Sequence, residues 1–141
     1  MTRTKKTGMK ARSGRVAVIG ALGLASVGLA AGPAFAKGDV EITAPPAAQV
    51  GKTFTVTAHG NDDASSYLQV CLENRGGGQA WHRLACGAVV ERGDDAQVTA
   101  HVKATHSGAR QYRAVVYGLL SPADRHPVRQ RTSGPTTVNV R

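Results

Sequence analysis

The stretch SGARQYRAVVYG, residues 107–118, decides the fold class of this chain. After a Ser-Gly turn signal its side chains alternate between two faces, and valine and tyrosine are prominent among them. Alternation with a period of two in such residues is typical of a half-buried β-strand. We therefore predict a strand over residues 111–118. Its inward side chains are Tyr112, Ala114 and Val116, and its outward side chains are Val115 and Tyr117.

The same alternation recurs through the second two thirds of the chain, where turn signals rich in Gly, Asp and Ser separate the alternating stretches. No stretch there has the period of a helix. About seven short strands in a chain of this size predict an all-β fold, a two-sheet antiparallel sandwich. The predicted strands cover residues 39–43, 53–59, 67–73, 81–90 (one or two strands), 97–104, 111–118 and 136–141.

Residues 107–116 resemble strand F of immunoglobulin-like domains, in which a glycine is followed by Tyr-x-Ala/Cys-x-Val. The resemblance implies an immunoglobulin-like sandwich in which Tyr112 is the corner tyrosine, with its hydroxyl bonded back to a loop carbonyl. Ala114 takes the place of the second cysteine of antibody domains, so their inter-sheet disulfide is absent. A resemblance of this kind implies a fold and no function.

A weaker resemblance concerns Cys71-Leu72 and Leu84-Ala85-Cys86-Gly87. They are similar to the short disulfide of neocarzinostatin-type chromoprotein apoproteins, secreted sandwiches in which it joins neighbouring strands on the floor of a ligand cleft. The loop here is longer, and that family's second disulfide and aromatic pair have no counterpart. The cysteine spacing also resembles that of secreted subtilisin-inhibitor proteins, whose second disulfide is likewise missing. The first of these resemblances implies a small-molecule carrier.

The N-terminus has the three parts of a secretory signal peptide. Residues 1–15 are basic without an acid, residues 16–31 are apolar, and residues 32–36 end in the small-residue pattern Ala-Phe-Ala. We predict cleavage after Ala36, a signal peptide over residues 1–36 and an exported sandwich over residues 37–141. The alternative is an uncleaved membrane anchor, but the apolar run is short of the roughly 20 residues that a spanning helix needs. We expect a secreted, extracellular protein without stable membrane insertion.

The basic character of the chain lies mostly in that signal peptide. The 141 residues carry 18 basic and 9 acidic side chains, a net charge of +9. Six of the basic residues precede residue 16, so the exported part has 12 basic residues against 9 acidic ones. That balance is ordinary for a small domain and excludes a typical nucleic-acid binder. The abundance of Ala, Gly, Val and Arg suggests a GC-rich bacterial source.

Both cysteines, Cys71 and Cys86, lie in the exported part. An even pair in an oxidising compartment predicts one disulfide. A closed loop of about 15 residues stabilises a fold by roughly 3 kcal/mol in the chain-entropy model.

A first candidate binding surface is the outer face of the strands at 67–73 and 111–118. If Leu68, Val70 and Leu72 face the core, Cys71 faces outward beside Val115 and Tyr117, and Trp81 flanks them. Such a face is more apolar than exposure to solvent requires, which favours an apolar ligand or a protein partner. The alternative is that Trp81 caps the sandwich edge and the other two side chains are cross-strand fillers. The candidate ligand or partner face comprises Trp81, Val115, Tyr117, Leu119 and Leu120.

A second candidate is the stretch 119–134, which is long for a hairpin connection. It opens with the two leucines, and its basic residues are Arg125, His126, Arg129 and Arg131. Long loops on rigid sandwiches often bind other molecules, so this one would present leucines and arginines to a protein or an anionic polymer. The alternative is a solvated loop in which both leucines lie under the sandwich end and Val128 starts the last strand early.

Catalytic and metal chemistry have no recognisable motif in the sequence. His59 and His101 are expected to be cross-strand neighbours, but two imidazoles without a third ligand make a weak metal site. The paired aspartates sit in turns, where they bond their own backbone, and no serine lies in a nucleophile-elbow motif. We expect no catalytic residue, metal or cofactor. The sequence predicts a monomeric, non-catalytic extracellular binding module whose partner is a protein or cell-envelope polymer, with a carrier of small apolar ligands as the alternative.

Overall fold

A computed structural model describes residues 38–141, and the predicted signal peptide over residues 1–36 lies outside the described residues. Among residues 38–141 no helix is long and apolar enough to cross a bilayer. The regular secondary structure of residues 38–141 is β-strand. The strands are β1 (Gly38–Thr43), β2 (Ala47–Ala48), β3 (Thr53–Asp62), β4 (Tyr67–Gly76), β5 (His82–Cys86), β6 (Val90–Glu91), β7 (Ala96–Lys103), β8 (Gly108–Leu119), β9 (Val128–Thr132) and β10 (Thr136–Val140).

The strands form two sheets. The smaller sheet has the order β1-β3-β7, and the larger has the order β2-β10-β8-β4-β5, with β6 paired to β4 and β9 paired to β8. All pairings are antiparallel except that of β2 with β10. The predicted all-β, immunoglobulin-like two-sheet sandwich is therefore confirmed. Two strands are only two residues long, which explains why alternation alone did not find β2 and β6.

The core lies between the sheets and consists of the inward side chains that alternation predicted. Leu68, Val70 and Leu72 of β4 are completely buried there. Tyr112 of β8 is 1% exposed and packs edge-on against Phe54 of β3, with ring centroids 5.9 Å apart and an interplanar angle of 84°. Edge-to-face contacts of this kind add to the free energy of apolar burial. The inward parity of β4 and β8 is what turns their other side chains outward.

The corner-tyrosine hydrogen bond implied by the immunoglobulin resemblance is not found. Tyr112 is buried as expected, but its hydroxyl makes no hydrogen bond to any residue in the described range. The ring instead lines a cleft at one end of the sandwich, together with Phe54 and Arg110. Strand alternation alone predicts that Tyr112 is in the core. The contacts of its hydroxyl depend on the surrounding loops, which alternation does not predict.

The long stretch at 119–134 is only partly a loop. Val128–Thr132 forms β9, which pairs with the second half of β8, and β10 continues along the first half of β8. A strand does start at Val128, but it is separate from the last strand, which starts at Thr136, and Leu120 is exposed, so the alternative of a solvated loop with both leucines under the sandwich end is correct only in part. The irregular connection shrinks to residues 120–127.

Candidate functional site

The candidate site is the outer face of the larger sheet, meaning the surface of β4, β5, β8 and β9 turned away from the core. Strand parity defines it. Cys71, Glu73 and Arg75 project to this side of β4, because the residues between them face the core. The register pairs Cys71 with Val115, Glu73 with Arg113 and Arg75 with Gln111 of β8. The sheet therefore places these side chains next to one another.

The centre of this face is a small apolar cluster, here called the outer cluster. It consists of Cys71, Val115, Tyr117 and Leu119, with Tyr67 and Val89 packed against them. Val115 is completely buried and Tyr117 is 7% exposed, so the cluster is a second, minor core. The parity predicted for Cys71, Val115 and Tyr117 is correct, and the burial of Val115 and Tyr117 agrees with the alternative in which they are cross-strand fillers and not an exposed apolar surface.

The predicted disulfide joins Cys71 to Cys86 and forms part of this cluster. The two residues lie directly opposite each other on β4 and β5, with their Cα atoms 4.0 Å apart. The bridge ties the edge strand β5 to the middle of the larger sheet. No free cysteine remains in the chain.

Arginine side chains cover the aromatic rings of the outer face. The guanidinium carbons of Arg75 and Arg113 lie 4.4 and 4.3 Å from the centroid of the Trp81 ring. The guanidinium of Arg83 lies 5.2 Å from the centroid of Tyr117. These distances are within the range of cation–π attraction. Trp81 thus lies over β4 and β8 and is held by two cations.

Glu73 connects this group to β9. Its carboxylate is 8% exposed and accepts from Arg113 Nε at 2.7 Å and Nη2 at 2.6 Å, both at Oε2. Its other oxygen accepts from Arg129 Nη2 at 3.2 Å. A buried carboxylate needs such partners, since an unpaired one is very costly. Arg113 and Arg129 are therefore held with their guanidinium groups on the outer face.

A β-bulge separates two of the predicted basic residues. The register between β8 and β9 shifts between Val116 and Tyr117, so Arg131 pairs with Val116 while Arg129 pairs with Tyr117. Gln130 is the extra residue on β9, and the two arginines project to opposite sides of the sheet.

Arg131 lies on the inner side and joins the two sheets. Its Nε donates to Oδ2 of the buried Asp62 on β3 at 2.6 Å. The other oxygen of that carboxylate accepts the backbone N–H of Ala64. Arg125, His126, Arg129 and Arg131 therefore do not form one basic cluster. Only Arg125 and His126 belong to the connecting loop.

That loop is held by Asp124. Its two carboxylate oxygens accept the backbone N–H groups of Leu120 and His126 at 2.9 and 2.8 Å. These hydrogen bonds stabilise the charged carboxylate and lower the pKa of Asp124, and the bond from Leu120 has the largest effect. Leu119 is buried in the outer cluster, whereas Leu120 is 85% exposed. The sequence analysis assigned Leu119 and Leu120 the same environment, whereas in the structure one is buried and the other is exposed.

The two histidines singled out in the sequence lie on the smaller sheet and are not neighbours. His101 pairs with Thr55 and bonds its hydroxyl, while His59 pairs with Gln97 four positions along the strand. His59 Nε2 lies 3.2 Å from Glu41, and Nδ1 lies 3.4 Å from Asp95 without a hydrogen bond. Burial opposes the charged ring, but the charges of Asp95 and Glu41 prevail and raise the pKa of His59.

Metal binding has no evident place in the described part of the chain. Among residues 38–141 no group of three or more His, Cys, Asp or Glu side chains is arranged to hold an ion.

Sequence reasoning missed the arginines of the outer face. Arg75, Arg83 and Arg113 lie on strands that were predicted correctly, as does Glu73, the partner of Arg113. Parity already placed Glu73 and Arg113 outward on β4 and β8. The signal was available in the alternation, but only the register shows that the two residues are paired.

No family model matches the chain, and no curated protein sequence matches it either. Among solved structures, the crystal structure of the CARDB domain of the PF1109 protein from Pyrococcus furiosus, in complex with di-metal ions, is similar to this chain. The TM-score is 0.48 and the identity 15%, over 74% of this chain and 88% of that one. A likeness at this level transfers no property of that domain to this chain.

Proposed function

We propose that this chain is an exported, non-catalytic binding module whose outer face docks an acidic surface of a protein partner. The observation that carries the proposal is the concentration of arginines on that face. Four arginines lie there around one buried carboxylate, which pairs with two of them, and one exposed carboxylate lies at the β6 end. The arginines are Arg75, Arg83, Arg113 and Arg129, and the carboxylates are Glu73 and Glu91.

The chemistry of these side chains supports an acidic partner. A guanidinium presents several N–H donors in a planar fork that matches a carboxylate, and it still has free donors when stacked on an aromatic ring. Glu73 uses donors of only Arg113 and Arg129. Arg83 contacts Tyr117 and forms no ion pair within residues 38–141. An acidic partner would satisfy the remaining positive charge.

A protein fits this face better than a simple polyanion does. Trp, Tyr and Arg are enriched in protein interfaces, and the outer face combines Trp81, Tyr117 and Tyr67 with its arginines. The side chains are also pre-ordered by the contacts among them, which lowers the entropic cost of binding. A flexible polymer would need the charges alone.

The contacts on the outer face support the alternative hypothesis, a carrier of small apolar ligands, less well. Val115, one of its expected ligand contacts, is completely buried, and Trp81 is already in contact with two guanidinium groups. An apolar ligand would have to displace those contacts first.

Charge reversal at Arg83 tests the proposal with a matched control. Arg83→Glu and Lys52→Glu change the net charge equally at exposed positions, but only Arg83 lies on the outer face. The probes are an immobilised folded acidic protein and immobilised poly-L-glutamate, which offers negative charge without a folded surface. We expect Arg83→Glu to weaken binding to the folded protein by about tenfold, as loss of one charged contact predicts, and Lys52→Glu to leave it nearly unchanged. Equally tight binding to poly-L-glutamate would favour a simple polyanion instead. Arg125→Glu reports separately on the connecting loop.

Equal losses in the Arg83 and Lys52 variants would mean a general charge effect and would overturn the assignment of the outer face. Loss in the Arg125 variant alone would assign the binding to the loop instead. Binding of an uncharged cell-envelope polysaccharide, unaffected by any of these variants, would replace the protein partner by a polymer.

A further inference from the structure

A second site lies at one end of the sandwich, away from the outer face. A cleft of about 130 Å³ opens there, where β3 and β8 begin and β4, β7 and β10 end. Its apolar floor includes Phe54 and Val140, which belong to the main core. The volume is well below the roughly 300 Å³ of a typical pocket for a drug-sized ligand. Only a small group, or the end of a longer molecule, fits.

The polar side chains around this cleft are mostly cations or hydrogen-bond donors. Lys103, His106 and Arg110 line it together with Asn74, and no lining side chain is a carboxylate. Arg110 is half-buried, yet neither it nor Lys103 forms an ion pair with any residue in the range 38–141. The guanidinium of Arg110 is therefore held at the cleft with N–H donors that an anionic ligand can use.

Tyr112 supplies an independent observation that points to a ligand. The residue is 1% exposed and lines the cleft, but its hydroxyl has no hydrogen-bond partner in the described part of the chain. Among residues 38–141 the fully buried unpaired side-chain atom is His59 Nδ1 and not this hydroxyl, so the hydroxyl opens onto the cleft. Burial raises the pKa of Tyr112 even though Arg110 acts in the opposite direction. The phenol is therefore protonated near neutral pH and is able to donate a hydrogen bond.

We propose that this cleft binds a single oxyanion group, a phosphate or a carboxylate, between Arg110, Lys103 and the hydroxyl of Tyr112. The guanidinium and the ammonium supply the charge, and the phenol donates a hydrogen bond from the floor. The apolar floor offers no partner to a second charged group, whose burial there would be costly. The proposal is independent of the proposed partner surface, because the two sites share none of these residues.

The test compares the effects of inorganic phosphate, acetate and chloride, added at equal ionic strength, on the thermal unfolding and the amide resonances of the exported chain. We expect phosphate or acetate, and not chloride, to raise the midpoint of thermal unfolding and to shift the amide resonances around Arg110 and His106. Arg110→Gln should weaken the binding by about tenfold, as expected for loss of a charge-assisted hydrogen bond. The matched variant Lys52→Gln, which removes a cation outside the cleft, should bind as the unaltered chain does.

The variant Tyr112→Phe distinguishes a role of the hydroxyl in anion binding from a role in stabilising the fold. Since that hydroxyl has no partner in the free protein, the variant should unfold at an unchanged midpoint and bind the anion several-fold more weakly. It also keeps the test decisive if Arg110→Gln fails to fold. A response to phosphate alone identifies a phosphate site, and a response to acetate alone identifies a carboxylate site. Equal responses to chloride, or unchanged binding in Tyr112→Phe and Arg110→Gln, would overturn the proposal.

Discussion

The two sheets of this sandwich treat their outer faces in opposite ways. The smaller sheet presents threonines, histidines and short polar side chains, and those side chains are exposed or half-buried. The larger sheet presents Cys71, Val115 and Tyr117, which are buried, with Arg83 stacked on Tyr117, while Cys86 at the other end of the disulfide is exposed. An ordinary sandwich needs only one core between its sheets. The second, minor core therefore distinguishes the outer face of the larger sheet from that of the smaller one.

The comparison also shows why the number of apolar residues is a poor guide to a binding face. Val115 contributes nothing to the exposed surface, whereas the polar Arg83 and Arg129 are exposed there. The apolar side chains hold the face in shape, and under the proposed function the arginines are the groups that a partner would meet. Three predictions test this contrast, ordered from the largest effect to the smallest.

Asparagine substitutions on the two faces should have very different effects. Val115→Asn places an unpaired amide in the outer cluster and removes buried apolar surface, so we expect a loss of about 4 kcal/mol in the free energy of unfolding. Thr99→Asn, on the exposed face of the smaller sheet, should cost less than about 0.5 kcal/mol. Urea unfolding of both variants gives the comparison. Similar losses in the two would mean that the outer cluster is not a core.

Removal of the disulfide should have the next largest effect. The double variant Cys71→Ser with Cys86→Ser opens a loop with a sequence separation of 15, and we expect a loss of roughly 3 kcal/mol from loop-closure entropy. The measurement is chemical unfolding of the variant beside the oxidised and the reduced chain. Reduction of the unaltered chain should reproduce most of the loss. An unchanged unfolding midpoint in both would show that β5 is held by its strand pairing alone.

His59 should give the smallest effect, and one that depends on pH. Its folded pKa is raised above the ordinary value of 6.5, so its contribution to stability is complete below pH 6.5 and is lost as the pH rises through the folded pKa. The stability difference between the unaltered chain and His59→Gln should therefore be larger at pH 5.5 than at pH 8.5. Because the side chain is 42% exposed, solvent screening keeps the effect below about 1 kcal/mol.

Unfolding curves at the two pH values, with low and high salt, measure this contribution. High salt should reduce it, since exposed ion pairs are screened. A difference that grows toward pH 8.5 would reverse the assigned direction of the pKa shift. His101→Gln is the matched control, because that ring bonds a threonine hydroxyl and contacts no carboxylate in the described structure.

Much of the fold could be predicted because strand formation and side-chain parity depend on residues close together in the chain. Alternation at 67–73 and 111–118 identified β4 and β8 and the outward direction of Cys71, Val115 and Tyr117. The even cysteine pair identified the disulfide. The short strand β2 escaped because two residues carry no periodicity. A strand starting at Val128 was one of two alternatives, and the sequence could not choose between them because the strand depends on pairing with β8.

Local residue patterns thus specify the all-β class, most strands, their parity and the disulfide. The contacts of the candidate-site side chains depend on strand pairing between distant parts of the chain. Glu73 and Arg129 are 56 residues apart in the chain, and their pairing depends on the register of three strands. One bulge places Arg129 on the outer face and Arg131 on the inner side with Asp62. A one-residue change of register reverses the side that a strand residue faces, and no local pattern specifies that register.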